Sequence, residues 1–196
     1  MRIQVIALMT VAASAGAEIY EIRPAAENRV ALEVFKTGFM SGKKHLFEFT
    51  KYAGTLNYDS AVPEQSKVDF TIESGSFVNK DTWLSQGQTK DVNDETAGKK
   101  VLDIAQYPQI RFSSTGVKPG SAGAFLVNGN LTIRDITRPV TVTVHSKPDS
   151  NGRLGFTGQA EVKLKDFGIK PPAAALGLVG TRNEMQLSFT LTAVKK

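Results

Sequence analysis

The sequence predicts an all-β domain with one or two short helices, built from eight antiparallel strands. Two observations carry that prediction, and a third bears on function. From Phe125 to Val144 apolar and polar residues alternate almost without a break, Val127, Gly129, Leu131 and Ile133 on one parity and Asn128, Asn130, Thr132 and Arg134 on the other. Side chains along a strand point to opposite faces, so a period of two writes a sheet with one dry face and one wet face. The pattern recurs along most of the chain, with turn-forming residues between the repeats. Residues suited to catalysis are scarce, with two histidines and no cysteine among 196 residues.

The amino end reads as a secretory leader. Met1-Arg2 supplies a short positive region, Ile3 to Ala13 is mostly apolar, and Ala15-Gly16-Ala17 places small residues where a signal peptidase reads. Cleavage is expected after Ala17, so that residues 1–17 are leader and residues 18–196 form one periplasmic or secreted domain. The apolar stretch falls short of the roughly 20 residues that a spanning helix needs.

The first strand is expected from about Arg29 to Lys36, with Val30, Leu32 and Val34 on one face. A long second run covers Phe47 to Tyr58 and ends in the turn-like Ser60-Ala61-Val62-Pro63. In the third strand Val68, Phe70 and Ile72 alternate with polar partners; in the fourth, Ile110, Phe112 and Ser114 oppose Arg111 and Ser113. Lys118-Pro119-Gly120-Ser121 is a strong turn signal before the fifth. Strands five and six are the alternating pair described above, where Val140, Val142 and Val144 continue the pattern. Asp135 to Pro139 is expected to connect them, with Pro139 at a strand start, where a missing N–H is tolerated.

Pro148-Asp149-Ser150-Asn151-Gly152 supplies turn chemistry before strand seven, in which Leu154, Phe156, Gly158, Ala160, Val162 and Leu164 share a face. The eighth strand sets Met185, Leu187, Phe189, Leu191 and Ala193 against Gln186, Ser188, Thr190 and Thr192. Two segments break the pattern. Asn79 to Lys100 reads as helix and loop, and Lys165 to Gly180, with Pro171-Pro172 and Ala173-Ala174-Ala175, reads as a crossing segment or flap. Eight antiparallel strands close into a barrel wide enough for one elongated ligand, or stack as a sandwich with a filled core. Periodicity alone admits both.

Composition narrows the partners. Hydrophobic content of 41% suits a sizeable core, and 22% charged residues argue against disorder. The formal charge is +5 and the pI near 9.4. The longest basic clusters, Lys43-Lys44 and Lys99-Lys100, are too short for a nucleic-acid footprint, so no nucleic-acid partner is expected. They do allow transient contact with an anionic membrane surface.

Candidate catalytic and metal groups fail one by one. His145 lies on the polar parity of strand six, which predicts an exposed residue, and His45 follows two lysines near an expected loop. With no cysteine and no partner at ligand spacing, no metal site is expected. Asp166-Phe167-Gly168 resembles a kinase magnesium motif, but the glycine-rich and catalytic loops are missing. Asp91, Asn93 and Glu95 imitate the opening of a calcium loop, yet Thr96 stands where the turn requires glycine. No strand–turn–helix serine motif is present. The chain is expected to be no enzyme, with no catalytic residues and no cofactor.

Two stretches carry a family resemblance. Tyr107-Pro108-Gln109-Ile110-Arg111-Phe112-Ser113-Ser114 and Gly129-Asn130-Leu131-Thr132-Ile133-Arg134-Asp135-Ile136-Thr137-Arg138-Pro139-Val140 closely resemble the YceI family. Val101-Leu102-Asp103-Ile104-Ala105, Lys165-Asp166-Phe167-Gly168-Ile169, and Tyr52, Gly54, Thr55 and Leu56 look like further family segments in matching order. Two stretches depart from the family pattern: Asp94 to Lys100, where many members carry a His-Leu pair, and Thr181-Arg182-Asn183-Glu184 near the start of the last strand.

The resemblance implies a lipocalin-like barrel with an internal apolar tunnel that binds a long-chain isoprenoid, quinone or other amphiphile, and it makes a homodimer plausible. Tunnel positions implied in this way are Val34, Phe39, Phe70, Ile72, Phe112, Leu131, Ile133, Val142, Phe156, Phe167, Ile169, Met185, Leu187 and Phe189. Read from the residues alone, each of these is expected simply to fill a packed core. Burying an isoprene unit of five carbons gains roughly 4 kcal/mol gross, at about 0.8 kcal/mol per carbon, less the cost of ordering the ligand. The expected function is therefore an exported carrier. A hydrolase acting on such a lipid and an interaction protein using the barrel as scaffold are the alternatives.

Overall fold

A computed structural model describes residues 16–148 and 152–196. Apart from Gly16 and Ala17 the expected leader lies outside the described residues, as does the middle of the turn expected at 148–152. The elements are β1 (Glu18–Ile22), β2 (Arg29–Gly38), β3 (Lys44–Phe49), β4 (Tyr52–Tyr58), β5 (Lys67–Glu73), β6 (Phe77–Asn79), α1 (Gln86–Ala97), β7 (Gln109–Pro119), β8 (Phe125–Ile133), β9 (Ile136–Pro148), β10 (Arg153–Lys163), β11 (Ala173–Ala174) and β12 (Val179–Lys195). Short 3-10 turns lie between several of them.

All the strands except the two-residue β11 combine into eight bent staves. β1 and β2 lie end to end along β12, with Ile22 opposite Ala193 and Val30 opposite Phe189. β4 and β3 flank them in the same way, and β5 and β6 come next. β7, β8, β9, β10 and β12 follow in sequence order, every pair antiparallel. Because β1 pairs with both β4 and β12, the sheet closes on itself. The fold is a closed eight-strand antiparallel barrel with one helix, which decides the choice between barrel and sandwich. Closure also removes the exposed edges that an open sheet must protect.

Each expected strand is present, with local differences. β1 was not foreseen, since five residues are too few for a period-two signal beside an apolar leader. The run expected over 47–58 starts earlier, at Lys44, and bends at Thr50-Lys51 between β3 and β4. The connection expected over Asp135 to Pro139 is tighter. β8 and β9 turn through Arg134-Asp135, with Ile133 opposite Ile136 and Arg134 in the left-handed region at φ 58°. Pro139 therefore lies within β9, at a level where β10, which pairs only from Thr143 to Pro148, leaves the second edge free.

The period-two pattern sorts side chains as expected. Val127, Leu131 and Ile133 of β8, and Met185, Leu191 and Ala193 of β12, are buried inside the barrel. α1 starts at a capping box in which Gln88 N–H donates to Ser85 Oγ (3.3 Å) and Ser85 N–H donates to Gln88 Oε1 (2.9 Å). Leu164, Phe167 and Ile169 are buried, and Gly168, at φ 67°, supplies the left-handed turn between the last two.

Candidate functional site

Three glycines on the inward parity keep the barrel from filling with its own aromatic rings. A Cβ at Gly158 would stand 2.3 Å from the Phe189 ring, one at Gly129 2.4 Å from Phe112, and one at Gly54 2.6 Å from Phe70. Gly158 pairs directly with Phe189 and Gly54 with Phe70. With no side chain on the neighbouring strand, each ring lies against the wall instead of projecting across the lumen. Tyr52, on the same strand as Gly54, stacks on Phe70 with centroids 5.5 Å apart.

The space left is a hollow in two chambers. The first has a volume of about 170 Å³ and is lined almost wholly by carbon, from Phe70, Phe112, Val142, Phe156 and Phe189 among others. The second, of about 150 Å³, is lined by Val34, Ile133, Ile169, Met185 and neighbours. Ile72, Ile110, Leu131, Val162 and Leu187 line both and form the waist between them. A dry cavity of about 150 Å³ lined by Leu, Ile and Phe has room for a benzene. Each chamber thus holds roughly one isoprene unit with the walls as they stand.

Twelve of the fourteen positions expected in a tunnel line this hollow. Two do not. Phe39 is 83% exposed, because Gly38 ends β2 at φ 68° and turns the chain out of the barrel. Phe167 is 1% exposed but lines neither chamber and packs in the core instead.

The second chamber has a polar end that the sequence reading missed. Lys36 continues the inward parity of Val30, Leu32 and Val34 and lines the chamber with His45, Glu95, Thr96 and Thr181. Burial holds the Lys36 ammonium below its usual value, opposed by the weaker pull of Glu95 and Asp81. His45, expected beside a loop, is instead 7% exposed on β3. Its Nδ1 lies 2.5 Å from Asp81 Oδ2, and its ring stacks on Trp83 at 5.3 Å. Asp81 Oδ1 also accepts from Leu46 N–H at 2.8 Å. The alternation of His45, Phe47 and Phe49 was the available signal, masked by the preceding Lys43-Lys44. His145 is exposed, as its parity predicts. Among the described residues no three His, Cys, Asp or Glu side chains gather as metal ligands.

A family model for the YceI-like domain matches residues 20–193. The chain belongs to the YceI family. A UPF0312 protein of Pseudomonas syringae pv. tomato is 29% identical to this YceI-family chain over 153 residues, which is 76% of this chain and 72% of that protein. One from Shewanella oneidensis is 26% identical over 167 residues, 83% of this chain and 81% of its own. Among solved structures, Burkholderia cenocepacia BcnA superposes with a TM-score of 0.68 at 25% identity, over 85% of this chain and 96% of that one. A polyisoprenoid binding domain from Saccharophagus degradans, implicated in plant cell wall breakdown, superposes with a TM-score of 0.62 over 90% of this chain and 98% of its own. At 12% identity that second likeness establishes the shared fold.

Proposed function

We propose that this YceI-family chain is an exported carrier that sequesters a long-chain isoprenoid, quinone or similar amphiphile inside its barrel. The two-chamber apolar hollow carries this reading, because an unfilled hydrocarbon-lined space rewards a hydrocarbon occupant. The barrel it shares with a polyisoprenoid binding domain supports the ligand class, and the leader-like residues 1–17 support export. Filling both chambers with about ten carbons gains roughly 8 kcal/mol gross, so binding needs no reaction to explain the site. Native mass spectrometry of protein purified without detergent should show a bound lipid, or uptake of a prenyl quinone on titration. Protein that stays empty in both measurements ends the proposal.

Loading is proposed to occur at an anionic membrane surface. Phe39, Leu176 and Leu178 stand exposed together at one end of the barrel, where Phe39 N–H donates to Leu178 O at 3.2 Å. Lys43 follows the turn that carries Phe39, Lys44 opens β3 beside it, and Lys170 leads the segment that carries the leucines. Lys36, Pro172 and Thr181 bring the second chamber to this same end. Sedimentation with phosphatidylglycerol vesicles should fall in a Phe39→Ser, Leu178→Ser double variant and at high salt. Unchanged sedimentation would exclude this surface, and loss of a doubled native mass instead would assign the tip to a second copy of the chain.

A further inference from the structure

A lysine on the inward parity of a hydrocarbon-lined barrel needs a reason. Lys36 is half-buried at the polar end of the second chamber, and no hydrogen bond or ion pair among the described residues reaches its ammonium. Glu95 and Asp81 are near enough to influence it but not to pair with it. A partly desolvated ammonium without an acceptor loses part of its hydration and gains no replacement. His45 lies in the same lining, with Nδ1 occupied by Asp81 and no partner for Nε2 among the described residues. The surface of the first chamber is almost entirely carbon, although Ser66, Lys67 and Arg111 border it.

We infer that the second chamber is the headgroup end of the tunnel, and that Lys36 selects amphiphiles whose head presents a carbonyl or carboxylate oxygen bearing at most one negative charge. The inference rests on the carrier reading and orients the ligand within it. The ammonium donates to the head oxygen while the tail crosses the waist into the first chamber. The limit on charge follows from the neighbours. One ammonium balances one negative charge, and the Glu95 carboxylate in the same lining repels a second. A phosphate or diphosphate head therefore leaves charge uncompensated in a low-dielectric chamber.

Displacement of N-phenylnaphthylamine by a series of twelve-carbon probes tests this: dodecanoate, methyl decyl ketone, dodecyl phosphate and dodecane, against wild type, Lys36→Met and Lys36→Arg. Lys36→Met matches the stem in volume, and circular dichroism checks its fold. The expected result is a loss of about tenfold in affinity for the carboxylate and the ketone in Lys36→Met, the value of one charge-assisted hydrogen bond. Dodecane should bind both proteins alike, and Lys36→Arg should keep most of the preference. The carboxylate and ketone arms show which head is held more tightly. Equal losses for all four probes, or for none, overturn the inference, as does dodecyl phosphate binding wild type as tightly as dodecanoate. If no probe enters wild type, dodecane included, the carrier reading itself fails.

Discussion

Asp81 shows how much one carboxylate can organise. It is almost fully enclosed, accepts from Leu46 N–H and lies 2.5 Å from His45 Nδ1, while its own N–H donates to Asn79 Oδ1 at 2.7 Å. Replacement by alanine strands a backbone donor and a buried imidazole. Asp81→Ala should lower unfolding free energy by about 3 kcal/mol in denaturant titration, with Asp81→Asn recovering part of the loss. Tyr20 sets an alkaline limit. Burial, reinforced by its hydrogen bond to Glu18 Oε2 at 2.8 Å, pushes its hydroxyl up to about 12. The folded chain keeps this proton at a pH where an unfolded tyrosine, with a value near 10, has lost it. Its contribution is therefore complete below about pH 10 and lost as pH rises through the folded value. Denaturation midpoints should fall between pH 10 and pH 12, and fall less in Tyr20→Phe.

Among the elements, the glycine and phenylalanine pairs of adjacent strands decide whether the barrel is hollow. Two alanine substitutions separate stability from capacity. At Gly129 the new methyl would stand 2.6 Å from the Ser113 carbonyl oxygen, and backbone yields only at a cost. Gly129→Ala should therefore destabilise by about 1–3 kcal/mol. At Gly158 the nearest atoms all belong to the Phe189 ring, which can swing away into the first chamber. Gly158→Ala should melt near wild type yet bind lipid more weakly, as the same fluorescence titration would read. If Gly158→Ala binds as wild type does, ring placement does not govern the volume of the hollow. α1 works at the other chamber, where Val92, Glu95 and Thr96 occupy one helical face over its lining.

At the scale of the whole barrel, two chambers of about 170 and 150 Å³ joined at a waist predict a dependence on tail length. Affinity should climb with each added carbon and flatten beyond about ten, where further growth must displace wall or remain in solvent. A bulky residue at the waist should divide the response. Leu131→Trp is expected to spare tails that fill one chamber and weaken those that need both, as isothermal titration with a homologous series would show. A uniform loss at every length would mean that the chambers do not act in series. Much of this architecture was legible beforehand. Inward residues of β5, β7, β8, β10 and β12 announced themselves through alternation, which is local and needs no knowledge of neighbours. Phe39 and Phe167 were misplaced because their positions depend on where Gly38 and Gly168 turn the chain, and parity stops at a turn. Lys36 was missed for the opposite reason, since parity placed it inside while charge argued for water, and His45 because the two lysines before it hid the start of β3.

Sequence by itself determined most of the long strands, their faces and the family, because each is written in period-two hydrophobicity or in contiguous residues. Only the tertiary structure decided that β1 joins β4 to β12 and closes the sheet, that three rings lie over glycines of neighbouring strands, and that a lysine and a histidine share one end of the hollow. Those outcomes depend on strands brought together from distant parts of the chain. A strand's own alternation tells which way a side chain points, and only its partners tell what that side chain meets.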